Sequence, residues 1–70
     1  MASATLTNTE IDYLRHVAHG RGPTEIGQAV HATEQEVEVL LLDAQTKLGA
    51  KNRMQAVAMA LSLGMIAALP

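Results

Sequence analysis

Few residues of this chain have the type and spacing that catalysis or metal binding requires. His16 and His19 stand three positions apart, where two imidazoles on one helix could share a metal ion. His31 belongs to a different segment and completes no ligand set of familiar spacing, so we expect surface histidines. We interpret Glu10 and Asp12 as adjacent acids on a helix surface, not as a catalytic pair.

The constellations that identify enzymes are missing as well. The sequence has no cysteine, no serine–histidine–aspartate order and no glycine-rich phosphate loop. A chain of 70 residues also leaves little room for a large pocket. We therefore predict no enzymatic activity, no cofactor, and no catalytic, cofactor-binding or metal-binding residues.

Charge is the more informative chemistry, because it bears on which macromolecule the chain can recognise. Residues 34–48 carry four carboxylates against the single Lys47, a net charge of −3. A DNA duplex carries about one negative charge per 1.7 Å of its axis, and Lys and Arg contacts supply most of its non-specific affinity for proteins. An acidic segment repels DNA, whereas Lys47, Lys51 and Arg53 could hold one phosphate strand.

Size and composition predict a single small domain. A domain of 70 residues buries only about 60% of its unfolded surface, so its stability is marginal. Hydrophobic residues make up 49% of the chain, yet Tyr13 is its one aromatic residue. Leu, Ile, Val, Ala and Met are therefore expected to build the core, and an oligomer would bury more of them. The net charge of −2 is unusual for an isolated DNA-binding domain.

Targeting signals are not apparent in the sequence. The first residues lack a basic region followed by an apolar run, and no stretch of about 18 apolar residues occurs. We expect a cytoplasmic protein without a membrane partner.

Four helix-start signals and the lack of strand signals predict an all-α fold. Thr7 and Thr33 each precede a glutamate by three residues, which makes two capping boxes. Pro23 suits the first turn of a helix, and Asn52 offers a further cap. The predicted helices are 8–19, 23–30, 34–48 and 53–63.

The apolar residues of each helix fall at helical spacing and predict its buried face. The expected inward residues are Ile11, Leu14, Val17 and Ala18 in the first helix, Ile26, Ala29 and Val30 in the second, Val37, Leu41, Ala44 and Leu48 in the third, and Ala56, Val57, Ala60 and Leu61 in the fourth. Residues 65–69 form an apolar tail that needs a partner surface.

Several short motifs align without a gap to a known family. They are Leu6-Thr7 followed by Glu10, Leu14 with Ala18 and Gly20, Glu25-Ile26, Val37, Lys47-Leu48-Gly49, and Asn52-Arg53-x-Gln55-Ala56-Val57. On these residues the chain resembles the LuxR/FixJ class of bacterial helix-turn-helix domains over residues 6–66.

The resemblance implies a four-helix domain over residues 1–70. In this family the second and third helices form the helix-turn-helix, and the fourth often forms a dimer contact. The resemblance also implies a bacterial transcription regulator that takes part in quorum sensing. Either the chain is a short member of the family or it is the separated domain of a longer protein, and both alternatives stay open.

The departures from the family fall at the positions that touch DNA. The family favours Thr, Lys, Arg, His or other polar residues where this chain has Glu36, Glu38, Leu40, Leu42, Asp43 and Thr46, and Lys where it has Thr24. Glu34 and Glu36 have a structural explanation, since the first turn of a helix favours negative charge. Glu38 and Asp43 lie beyond that turn.

A surface for a protein partner is our interpretation of the third helix. Val39 and Leu42 are expected on the face that the family turns to DNA, next to Glu38 and Asp43. An apolar patch rimmed by carboxylates suits a protein better than a polyanion. The alternative is that Leu40 and Leu42 merely cover the edge of a small core.

These patterns lead to three functional hypotheses. The first is a regulator acting largely through protein contacts, an anti-activator or co-regulator whose partner is another transcription regulator or the transcription machinery. The second is a DNA-binding homodimer, with Val39 on thymine methyl groups and Lys47, Lys51 and Arg53 on phosphates. The third is a structural dimerisation module. The expected homodimer contact on helix 4 consists of Met54, Ala58, Leu61 and Met65.

Overall fold

The described part of the chain folds into four successive helices. The computed structural model describes residues 5–67. They form α1 (Asn8–Ala18), α2 (Pro23–Val30), α3 (Glu34–Leu48) and α4 (Arg53–Ser62). None of the described residues forms a strand, which confirms the all-α prediction.

Side chains at the N-termini explain where three of the helices begin. Thr7 Oγ1 accepts a hydrogen bond from Glu10 N at 3.1 Å, and Glu10 Oε1 accepts one from Thr7 N at 2.8 Å. Thr33 and Glu36 exchange the same pair of bonds at the start of α3. Asn52 Oδ1 accepts from Gln55 N at 2.8 Å ahead of α4. These local bonds satisfy N–H groups that a helix leaves free, and they confirm the predicted starts.

Two helices end one residue earlier than predicted. After α1, His19 leaves the helical conformation, and Gly20 follows with a φ of +86°. After α4, Leu63 is the cap, and Gly64 has a φ of +76°. Differences of one residue are usual at fraying helix ends.

The core forms around α3, which packs against α1, α2 and α4. Its buried apolar side chains include Leu14 from α1, Ile26 from α2 and Val57 from α4. Tyr13 is also buried, although the composition suggested an aliphatic core. Among the described residues, the remaining buried apolar side chains are Leu6, Val37, Leu41, Ala44, Ala56, Ala60 and Ile66.

Two predicted inward residues are exposed. Ala29 faces solvent because α2 meets the core through Ile26 and Gly27 instead. Leu61 is 36% exposed because Ile66 turns back over the end of α4 and covers the core there. The N–H groups of Met65 and Ile66 both bond to Ala60 O, which holds this return in place. The predicted apolar tail therefore finds part of its partner surface on its own domain, while Ala68 and Leu69 lie outside the described residues.

The turn from α2 to α3 depends on a close backbone approach. A Cβ atom at Gly27 would lie 2.5 Å from the carbonyl oxygen of Ala32. His31 adopts the left-handed conformation, with a φ of +61°, and Ala32 N donates to Gly27 O at 2.9 Å. Only glycine fits position 27 without moving this turn.

We expect Gly27→Ala to lower the free energy of unfolding by about 1 kcal/mol. Overpacking against a backbone atom costs about 1–3 kcal/mol, and the better helix propensity of alanine returns up to about 1 kcal/mol. Urea denaturation checks this value. Gln28→Ala, on the exposed side of the same helix, is the control and should not destabilise. A Gly27→Ala protein as stable as the Gln28→Ala protein would contradict the close approach.

Across residues 5–67, no helix is long and apolar enough to cross a membrane.

Candidate functional site

The outer face of α3 exposes apolar side chains. Val39 is 53% exposed and Leu42 59%, on the side of the helix away from the buried Val37 and Leu41. Leu40 is only partly exposed and packs against the core. Packing against the core therefore explains the apolar side chain at Leu40. It does not explain the exposed apolar side chains of Val39 and Leu42.

A depression lies between this face and the start of α4. Its lining consists of Glu38, Val39, Leu42, Gln45 and Arg53, and its volume is about 210 Å³. Arg53 Nη2 donates to Glu38 Oε1 at 2.7 Å, and both side chains are partly exposed. The structure thus brings one predicted phosphate contact and one predicted partner residue together as an ion pair.

The partly exposed side chain of Lys47 is paired with a buried carboxylate. Its Nζ donates to both carboxylate oxygens of Glu10, at 2.8 and 3.0 Å. Glu10 is only 2% exposed, so the prediction that it is a surface acid was wrong. The capping box turns its side chain back towards the start of α1, beneath α3, where Lys47 meets it.

The environment of Glu10 favours its charged form. Burial by itself would raise the pKa of the carboxyl group, but the hydrogen bonds from Lys47 and Thr7 outweigh it and hold the pKa below its ordinary value of 4.5. A charged, paired Glu10 leaves Lys47 little freedom to reach a phosphate.

Internal pairing takes up most of the positive charge. Lys47 and Arg53 are paired as described, and Arg15 pairs with Asp12 at 3.0 Å. Within residues 5–67, the ion pairs leave out two cations, Lys51 and Arg21. The chain has five Lys and Arg residues in all, so only a minority remain available to a polyanion.

The acidic residues of α3 differ in their roles. Glu36 completes the capping box, and Glu34 accepts a bond from Thr24 Oγ1 at 3.0 Å. Asp43 is exposed, and no hydrogen bond or ion pair of its side chain occurs within the described part of the chain. Asp43 is therefore the carboxylate of α3 that pairs with nothing within the described residues.

His16 of α1 and His19, which follows that helix, both lie close to an arginine. Arg21 Nη1 is 3.3 Å from Nδ1 of His16 and 3.4 Å from Nδ1 of His19. Between residues 5 and 67, no three His, Asp or Glu side chains cluster closely enough to hold a metal ion.

The predicted dimer contact combines three residues on one side of α4 with Met65, which follows the helix. Met54 is 72% exposed, Ala58 is exposed, Leu61 lies at the border of exposure, and Met65 is partly buried against the core. We call these four residues the α4 stripe. Three of them offer apolar surface to solvent, while Met65 already packs on its own domain.

Sequence reasoning missed both ion pairs that anchor the cations of the site. Glu10 and Lys47 are 37 positions apart, and Glu38 and Arg53 are 15 apart. Neither separation leaves a periodic signal.

Comparison with known proteins gives a consistent family. The sequence profile of the family described as bacterial regulatory proteins, luxR family, matches residues 4–60. The quorum sensing-dependent transcriptional regulator VjbR of Brucella abortus is 41% identical over 64 residues, which cover 91% of this chain and 25% of VjbR. The regulator RpaR of Rhodopseudomonas palustris is 43% identical over 61 residues, 87% of this chain and 25% of RpaR.

A third relative is the transcriptional activator protein BjaR1 of Bradyrhizobium diazoefficiens, 39% identical over 59 residues, 84% of this chain and 24% of BjaR1. The chain thus spans about a quarter of the length of these relatives. No solved structure matches it. The profile match over most of the sequence and the four helices agree, and the chain belongs to the LuxR family of bacterial regulatory proteins.

Proposed function

We propose that this chain is a transcription regulator of the LuxR family that acts largely through contacts with other proteins, as an anti-activator or co-regulator. The observation that carries the proposal is the state of the charges around α3. Lys47 and Arg53 are paired within the domain, while the outer face presents Val39, Leu42 and Asp43. We expect action in the cytoplasm, where bacterial transcription takes place.

The electrostatic argument compares α3 with a typical DNA reader. A protein that makes six to ten phosphate contacts loses roughly 10³–10⁵ in affinity between about 50 and 200 mM salt, which shows how much those contacts supply. Here Lys51 is exposed and forms none of the described ion pairs. Of the two such cations, it is the nearer to α3 in the sequence. Glu38 and Asp43 would approach phosphates, and like charges at short range cost kilocalories where water is partly excluded.

The experiment is fluorescence anisotropy of a labelled mixed-sequence duplex at about 50 mM and about 200 mM salt, a range over which non-specific binding weakens steeply. We expect no binding by the chain at the lower salt. A short polylysine peptide serves as the positive control for the probe. Binding at the lower salt that weakens at the higher salt would contradict the proposal.

The second candidate is a DNA-binding homodimer. Its support is the naming of the relatives as transcriptional regulators and activators, together with the exposed Lys51. In this case Val39 would touch thymine methyl groups, and Arg53 would leave Glu38 for a phosphate. The candidate predicts a palindromic site and a salt slope of only a few units.

Homodimerisation is proposed through the α4 stripe. We expect Leu61→Ser to shift wild-type dimers to monomers in sedimentation experiments, because a serine removes apolar area from the centre of the contact. Leu63→Ser is the matched control, since Leu63 is 64% exposed and, two residues after Leu61, points away from the face that Met54, Ala58 and Leu61 share. A wild-type monomer at all concentrations, or equal effects of both variants, would contradict this contact.

Sedimentation also bears on the third candidate, the structural dimerisation module. A chain that is a dimer in sedimentation but binds neither the duplex nor any regulator would favour this module. Point variants are preferable to removing residues 65–70, because that truncation would also remove the buried Ile66.

A further inference from the structure

Val39 separates two depressions on the outer side of α3. The first is the one lined by Leu42, Glu38 and Arg53. The second has a volume of about 500 Å³ and is lined by Tyr13, His31, Ala32, Glu36, Val39 and Leu40. Both are open to solvent, and Val39 contributes to the walls of both. The two depressions with this valine between them are called the Val39 saddle.

The saddle combines apolar walls with an acidic rim. Leu42 lies on one side of Val39, and Leu40 with Tyr13 lies on the other. Glu38 and Glu36 border the two depressions, and the unpaired Asp43 follows Leu42 in the helix. The one cation in the lining, Arg53, is neutralised by Glu38.

We infer that the Val39 saddle takes an amphipathic helix of a partner protein, with apolar side chains entering both depressions and Lys or Arg side chains facing the acidic rim. Charge complementarity selects this occupant: a basic flank pairs with Asp43 and Glu36, whereas an acidic or nucleic-acid partner is repelled. The width of α3, about 10–12 Å, matches apolar side chains two turns apart on the partner. Helices commonly enter apolar grooves in this way. The inference rests on the proposed function and adds the chemistry of the partner to it.

The test uses two synthetic helical peptides of about 15 residues, a length that is marginally helical in water. Both carry leucines on one face at helical spacing; one has lysines at the other positions and the second has glutamates. Each is titrated into the ¹⁵N-labelled chain, and amide shifts are followed by NMR. We expect the leucine–lysine peptide to shift amides of residues 36–43 and the leucine–glutamate peptide to bind at least tenfold more weakly.

Surface variants locate the site. Val39→Ser is expected to weaken binding of the leucine–lysine peptide at least tenfold, because Val39 borders both depressions. Leu42→Ser and Asp43→Asn should each weaken it several-fold. Leu63→Ser, at an exposed apolar position that lines neither depression, should leave it unchanged.

The inference is overturned if neither peptide binds, if both bind equally, if the shifts centre on α4, or if Val39→Ser binds like wild type. Duplex anisotropy on the same samples separates this result from the proposed function. Duplex binding by the wild-type chain refutes the proposed function, whereas absent peptide binding together with absent duplex binding refutes only the Val39 saddle.

Discussion

Replacement of Lys47 by methionine is expected to lower the free energy of unfolding by about 2 kcal/mol at pH 7. Removing one partner of a fully buried ion pair costs about 3–5 kcal/mol. Here Glu10 is buried but the Lys47 side chain is 35% exposed, so water can partly replace the lost ammonium group. A domain of this size has a total stability of only about 4–10 kcal/mol. Urea denaturation followed by circular dichroism measures the loss.

The pH dependence gives an independent check on the same pair. The pKa of Glu10 in the folded chain lies below its ordinary value of 4.5. The pair's contribution is therefore fully present above that ordinary value and is lost as pH falls through the lower, folded value. We expect the stability difference between wild type and Lys47→Met to shrink below about pH 4.5.

Lys51→Met is the matched control, because it removes the same charge from an exposed lysine outside the described ion pairs. It should change the free energy of unfolding by less than about 0.5 kcal/mol. Glu10→Gln keeps an acceptor for Thr7 N but removes the ion pair, so a double-mutant cycle with Lys47→Met isolates the coupling. Equal losses in Lys47→Met and Lys51→Met, or a coupling near zero, would show that the pair does not stabilise the domain.

The helix starts were predictable from the sequence because their causes are local. The Thr7–Glu10 and Thr33–Glu36 pairs form within three residues, so their bonds do not depend on how the helices pack. The motifs also gave the family without knowledge of the packing. What the motifs could not give is the fate of each charge once α1, α3 and α4 come together.

The errors share that origin. The two capping glutamates look alike in the sequence, yet Glu10 is buried against Lys47 and Glu36 remains exposed. Ala29 and Leu61 follow the helical period of the buried residues, but both are exposed because Gly27 and Ile66 occupy the inner places. Contacts between different helices and turns decided whether these four residues are buried. The local spacing of the sequence does not reveal those contacts.

The same distinction limits what could be said of the site from the sequence. Exposure of Val39 and Leu42 followed from the stripe of Val37, Leu41 and Ala44, which fixes the opposite face of the helix. The pairing of Arg53 with Glu38 could not be predicted from that stripe, because it joins two different helices. That pair changes the electrostatics, since it removes a cation that sequence reasoning assigned to phosphates.

Neutralising the acidic face should give the domain measurable affinity for DNA. The variant Glu38→Gln with Asp43→Asn removes two carboxylates from α3 and releases Arg53 from its ion pair. Together with Lys51, the released arginine would place two free cations near the start of α4. We expect this variant to bind a mixed-sequence duplex at about 50 mM salt, where the wild type does not, and the binding to weaken at about 200 mM salt.

The control variant has the same net charge at another place. Asp12→Asn with Glu25→Gln also removes two carboxylates and releases Arg15, but on α1 and α2. Both amide replacements keep hydrogen-bond acceptors, so folding should be preserved, and circular dichroism verifies it. If the control gains as much affinity as the α3 variant, total charge and not the outer face of α3 governs DNA binding. If only the α3 variant gains affinity, the carboxylates of that face are what prevents the wild-type domain from binding DNA. The helix backbone is the same in the wild type and the variant, so the difference lies in those side chains.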